Sequence, residues 1–190
     1  MNSKKRIVYA VLSAIFTCAV LPLPAFSQPD PKDFSQANKL FSAGKYTDAL
    51  RIYETLQTSR PPDVPQGLLY TRIGDSYFQL TDYRKAVDAY RRSLLYQKPE
   101  EMPQTRYWIG FSLFLLGKNK EASAEFLKIP EQHPASGRWV TTAYYWAGRA
   151  NERMGNKDKA AAYYKKAGGR GKATQEQFAL KRAEAVGKGK

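Results

Sequence analysis

Among the residue types that carry out chemistry, this 190-residue sequence offers one histidine, one cysteine and a scatter of carboxylates. His133 stands in a Glu131-Gln132-His133-Pro134 turn, and Cys18 lies in an apolar N-terminal run. Nucleophilic catalysis needs a nucleophile beside a base that a third group orients, and no serine or cysteine here has such a setting. Metal sites need clustered ligands, which a single histidine and a single cysteine do not supply, so neither a metal nor a cofactor is expected. Gly168-Gly169-Arg170-Gly171-Lys172 matches part of a phosphate loop. Lys166 stands where its leading glycine is required, however, and Ala173 where it needs Ser or Thr, which leaves a linker. Glu100, Glu101, Glu121, Glu125, Glu131 and Glu152 would act on a glycoside only if two of them faced each other across a cleft. Acidic residues on the solvent faces of helices are the ordinary arrangement, and the expectation is a protein that is not an enzyme. The sequence is rich instead in 13 Tyr, 9 Phe and 3 Trp, the side chains that with arginine dominate binding energy at interfaces.

Those aromatics recur at fixed intervals. Counted from a small residue, the first unit has Ala37, Leu40, Gly44, Tyr46, Ala49, Tyr53, Leu56 and Pro61. The second repeats the spacing with Gly74, Tyr77, Thr81, Tyr83, Ala86, Tyr90 and Ser93, and Pro99 comes one residue late. The third has Gly110, Leu113, Gly117, Asn119, Ala122, Phe126, Ile129 and Pro134, and the fourth Gly148, Asn151, Gly155, Lys157, Ala160, Tyr164 and Ala167. The small residue suits a close crossing of two helices. The glycine seven residues on ends the first helix in the left-handed conformation. The aromatic sixteen residues on is expected to fill the space between neighbouring pairs, and proline stops the second helix. Helices are predicted at 32–43 with 46–58, 67–80 with 82–96, 103–116 with 118–129 and 138–154 with 156–167. A capping helix follows at 174–186, with Phe178, Leu180, Ala183 and Val186 as its apolar residues and a disordered tail from Gly187.

This pattern resembles the tetratricopeptide repeat, a helix–turn–helix unit. The resemblance implies an all-α, right-handed solenoid of about four helix pairs plus the C-terminal cap. The departures are Thr81 at a turn glycine, Ser93 at an apolar position and polar Asn151. In that family the first helices line a concave groove, with side chains three before, one after and four after the small residue. The resemblance thus points to Phe34, Asn38 and Phe41; Thr71, Asp75 and Phe78; Tyr107, Phe111 and Phe114; and Tyr145, Arg149 and Glu152. Arg72, Trp108, Trp146 and Arg153 fall at its margins. Phe78, Tyr107, Phe111, Tyr145 and Arg149 are the expected partner-binding residues. Chaperone-binding members hold a terminal carboxylate with a Lys and Asn clamp. Asn38 matches one clamp position, but Phe34 and Asp75 occupy others, so that clamp is not expected.

Residues 1–27 read as a cleaved secretory signal peptide. Lys4, Lys5 and Arg6 precede an apolar run from Ile7 to Leu21, and Ala25 and Ser27 form the small-residue cleavage site. The repeat solenoid is then expected over 28–170, and the cap with a basic flexible tail over 171–190. Removing the three basic residues of the signal lowers the formal net charge from +14 to +11, which favours anionic partners. Such export predicts a periplasmic or secreted protein that is not integral to a membrane, and nucleic acid is not expected as a partner. The fourth unit resembles periplasmic repeat proteins of the Tol-Pal cell-division machinery. That implies an adaptor holding a peptide or partner helix during envelope assembly or division. The alternative is attachment to anionic lipid or cell-wall polymer through the basic region from Lys157 to Lys190.

Overall fold

The computed structural model describes residues 31–168 and 174–188. The predicted signal peptide, with Cys18, and most of the Gly-rich breaker lie outside them. The described residues form nine helices: α1 (Pro31–Ser42), α2 (Tyr46–Ser59), α3 (Gln66–Gln79), α4 (Tyr83–Ser93), α5 (Met102–Leu115), α6 (Asn119–Gln132), α7 (Gly137–Arg153), α8 (Lys157–Gly168) and α9 (Thr174–Lys188). Consecutive helices pack on each other as four antiparallel pairs, and α9 lies against α8 and α7.

One turn geometry closes the first helix of every pair. Gly44, Gly117 and Gly155 take φ near +75, +74 and +76°, and Thr81 takes +62° at the matching place. In each turn the next N–H reaches back five residues to a carbonyl: Lys45 to Leu40, Asp82 to Tyr77, Lys118 to Leu113 and Asn156 to Asn151, each at 2.9 Å. These bonds satisfy carbonyls that a helix end leaves orphaned. Thr81 makes the same turn with a β-branched side chain, at the steric cost that glycine avoids.

The small residue and the aromatic sixteen positions later belong to a single contact. A methyl group on Gly74 would sit 2.6 Å from the Tyr90 ring, one on Gly110 2.7 Å from Phe126, and one on Gly148 2.6 Å from Tyr164. The aromatic therefore fills its own pair, against the expectation that it would fill the gap between neighbouring pairs. Glycine is required because a flat ring lies directly on the backbone. Tyr53, Tyr90, Phe126 and Tyr164 are all buried, at the centre of three apolar clusters running from α1 to α9.

Other departures have local causes. Ser93 is buried but satisfied, bonding to Thr71 and to the Gly67 carbonyl. Asn151 is 4% exposed and donates to Ser123 and to the Ala147 carbonyl, so the polar residue is a tie between α6 and α7. α4 ends at Ser93, three residues early, and Tyr96 beyond it stacks on Tyr70. α6 continues through Pro130 to Gln132. Glu125 is 6% exposed, held by Arg106 at 2.9 Å and Lys128 at 2.6 Å, so it does not sit on a solvent face. α9 buries Ala179 and Ala183, while Phe178 is 64% exposed and Leu180 is exposed too. Small residues allow its close approach to Tyr164, so of the four apolar residues expected on the capping face Ala183 and Val186 pack inward while Phe178 and Leu180 do not. The helix also extends to Lys188, through the start of the predicted disordered tail.

Candidate functional site

The buried tyrosines direct their hydroxyls to side chains on the first helices. Tyr53 donates to Asn38 at 2.7 Å, Tyr90 to Asp75 at 2.8 Å and Tyr164 to Glu152 at 2.5 Å. Burial pushes the Tyr53 phenol up to about 12, and those of Tyr90 and Tyr164 are raised too, by burial and then by the neighbouring carboxylate. All three remain donors throughout the physiological range. In the third unit the aromatic is Phe126, which has no hydroxyl to donate, and Phe111 stands where Asn38 and Asp75 do; in the fourth unit Arg149 holds that place and Tyr164 reaches Glu152, three residues on.

Around Phe111 the first helices meet through rings. Phe111 lies 4.6 Å from Trp146, 5.9 Å from Phe78 and 5.8 Å from Tyr107, centroid to centroid. Tyr107 also touches Trp139, at 5.6 Å, and Tyr145 touches Trp146, at 5.7 Å. Burial raises the Tyr107 phenol, opposed by a hydrogen bond from Trp146. Tilted and edge-to-face rings at these separations attract through their quadrupoles, beyond the area they bury. The Arg149 guanidinium lies over Trp146 at 5.7 Å. That of Arg153 lies over Phe114 at 3.6 Å and donates to the Phe114 carbonyl.

The expected residues Phe78, Tyr107, Phe111, Tyr145 and Arg149 are each half-buried and joined in one contact network through Trp146. Phe114, expected to line the groove, is 2% exposed and lies beneath Trp146 and Arg153. The tryptophans assigned to the margins are central instead. Trp108 meets Phe78 at 5.1 Å and Trp146 meets Phe114 at 5.2 Å, just as Arg72 lies over Phe41 at 5.8 Å. The residue two before each glycine thus packs on the residue four after the preceding small residue. A large side chain at that place in three successive units was the signal available in the sequence.

Beside this network is a polar cleft of about 390 Å³ lined by Thr71, Arg72, Asp75, Gln97, Glu100 and Glu101, among others. Burial raises the Asp75 carboxyl, opposed by the Tyr90 hydrogen bond and by Arg72, whose guanidinium is 3.4 Å away. Gln97, Glu100 and Glu101 reach the cleft from the α4–α5 connection, which sequence reasoning did not connect with Asp75. His133 is lowered by burial and by the charge of Arg106, with no nucleophile in hydrogen-bond contact among the described residues. No group of three or more His, Cys, Asp or Glu able to hold a metal is found among the described residues.

The tetratricopeptide repeat pattern matches residues 71–137, and a second pattern of the same description matches 141–167. The chain is a tetratricopeptide-repeat protein. Human Protein O-mannosyl-transferase TMTC2 is 28% identical over 127 residues, covering 63% of this chain and 15% of that protein. Tetratricopeptide repeat protein 1 of Schizosaccharomyces pombe (strain 972 / ATCC 24843) is 29% identical over 182 residues, covering 86% of this chain. This repeat protein spans only 17% of that relative. Among solved structures, the apo form of RapI superposes with a TM-score of 0.72 at 14% identity, over 82% of this chain and 48% of RapI. YrrB superposes at 0.60 and 18% identity, over 86% and 89% of the two chains. These likenesses show the all-α repeat fold.

Proposed function

We propose that this repeat protein is a protein–protein interaction scaffold whose first-helix face holds a peptide or a partner helix. The observation that carries the reading is the unbroken run of half-buried rings from Phe78 through Phe111 to Trp146 and Tyr145, flanked by Arg149. Helices covered on both sides have no need of such a run. Flat side chains and arginine gain more from an incoming chain than any other residues do. YrrB, a tetratricopeptide-repeat protein of the same fold, is described as having an unusual peptide-binding site, which supports the class of ligand. No described helix is long and apolar enough to cross a membrane. With the signal-like residues 1–27, the reading extends to an exported, periplasmic adaptor in envelope assembly or division, with binding and not catalysis as its activity.

A photoreactive residue placed at Phe78 or Tyr145 in intact cells tests this. A protein should be captured from both sites and not from a control at exposed Asp88 on α4. Capture should persist at moderate salt, because ring contacts are not screened. Recovery of lipid or polymer alone, from a probe in the basic region beyond Lys157, would replace this reading with surface attachment.

A further inference from the structure

Three charged residues close the first-helix face at α7: Arg149, Glu152 and Arg153. Left to itself on the helix, Glu152 would neutralise Arg149, three residues before it, since side chains at that spacing are neighbours. The structure does not spend it so. Arg182 of α9 binds Glu152 with both arms, Nε to Oε2 at 2.8 Å and Nη2 to Oε1 at 2.9 Å, and Tyr164 adds a third hydrogen bond. A forked guanidinium–carboxylate pair of this kind is geometrically specific and takes both oxygens. Burial acts to raise Glu152, but the hydrogen bonds from Arg182 and Tyr164 and the charges of Arg182 and Arg149 hold it below the usual range, so it remains ionised against Arg182 of α9.

Arg149 and Arg153 are thereby left over the Trp146 and Phe114 rings, and no carboxylate lies within 4.0 Å of either among the described residues. A guanidinium stacked on a ring keeps its N–H edge for a planar acceptor, which an ammonium group does not do. The opposite end of the network differs in sign, with Asp75, Glu100 and Glu101 against Arg72 in the polar cleft. We propose that α9, by holding Glu152 on Arg182, makes the α7 end of the face a cationic, aromatic-floored seat for an acidic segment of a partner protein. Its carboxylates meet Arg149 and Arg153 while an adjacent apolar residue meets Trp146 and Phe111. The charge difference between the two ends orients the segment, with its acidic part toward α9. The proposal rests on the reading of this face as a partner-binding surface and adds the partner's chemistry and a role for α9.

Fluorescence anisotropy with two labelled synthetic peptides of about twelve residues tests it, one alternating Glu with Phe and Leu, the other with Lys for each Glu. At about 150 mM salt the acidic peptide should bind the purified chain about tenfold more tightly than its Lys counterpart. Arg149→Gln/Arg153→Gln should cost about tenfold. Arg84→Gln/Arg91→Gln on α4 changes the net charge equally and should cost less than about twofold. Arg182→Ala should weaken the acidic peptide by about fivefold, because the freed Glu152 then competes for Arg149, and adding Glu152→Gln should restore it. Equal losses from the two arginine pairs would reduce the effect to general basicity and overturn the proposal. So would an Arg182→Ala loss that Glu152→Gln fails to restore. Preference for the Lys peptide that Phe111→Ser abolishes would sink the acidic specificity yet leave the binding face standing. Peptide binding untouched by Phe111→Ser would remove the binding face itself.

Discussion

The second and third units have the same fold and opposite chemistry. In the second, Tyr90 lies on Gly74 and gives its hydroxyl to Asp75, which opens onto a polar cleft. In the third, Phe126 lies on Gly110, and the residue matching Asp75 is Phe111, the hub of the ring network. Between these two units the difference is one hydroxyl on the ring and the residue that follows the glycine; in the fourth unit Tyr164 instead reaches Glu152, three residues further along the first helix. A buried phenol needs a hydrogen-bond partner, and a phenyl ring in its place would leave that partner's buried polar atom unpaired. The repeat thus keeps its packing constant and lets the groove vary through paired positions on its two helices.

The largest effect should come from removing the ring that lies on the glycine of its own pair. Phe126→Ala leaves a cavity over Gly110 and should cost about 4 kcal/mol in chemical denaturation. A cost below about 1 kcal/mol would mean that the ring is not the centre of its pair. Exchanging the rings is gentler and more informative. Tyr90→Phe should cost about 1.5 kcal/mol by leaving Asp75 without its donor, and Phe126→Tyr about 2 kcal/mol by burying a hydroxyl against Phe111. Adding Phe111→Asn to Phe126→Tyr should recover about 1 kcal/mol in a double-mutant cycle, since Asn38 accepts from Tyr53 in the first unit. Zero coupling would refute the pairing rule.

Thr81→Gly should stabilise the second unit by about 1 kcal/mol, and Gly117→Thr should destabilise the third by a similar amount, because both positions hold positive φ. The smallest effect is the pH response. Asp75 has its folded pKa raised, so the unfolded chain releases that proton first, and the stability contributed by the protonated group is lost as pH rises above about 3.8. Glu152 has its folded pKa lowered, so its contribution is full above about 4.5 and is lost as pH falls through the folded value. Hydrogen exchange under acid titration should therefore release α9 while the amides around Asp75 gain protection. Loss of protection in both regions together would contradict the opposite signs.

The helices, their pairing and the small-residue positions could be read from the chain alone because each has a local steric cause. Glycine ends the first helix at three turns, and a glycine with an aromatic sixteen residues later marks a crossing. Thr81 looked like a break in that pattern, yet the turn forms regardless, because the surrounding pair fixes it more strongly than the side chain opposes it. Of the expected binding residues, the spacing brought Phe78, Tyr107, Phe111, Tyr145 and Arg149 into one network but misjudged Trp108 and Trp146. The rings they meet on the preceding first helix, Phe78 and Phe114, lie about a repeat away along the chain, so only a comparison between units, not spacing within one, could place them.

The sequence by itself determined a repeated helix pair and the stripe of side chains that each first helix offers, since periodicity and glycine placement act within a few residues. Only the tertiary structure decided where the charges go. Glu125 is buried between Arg106 and Lys128, and Glu152 is drawn from its helix neighbour Arg149 to Arg182, thirty residues on. Charge pairing depends on which helices meet and how closely, and that distance is set by packing.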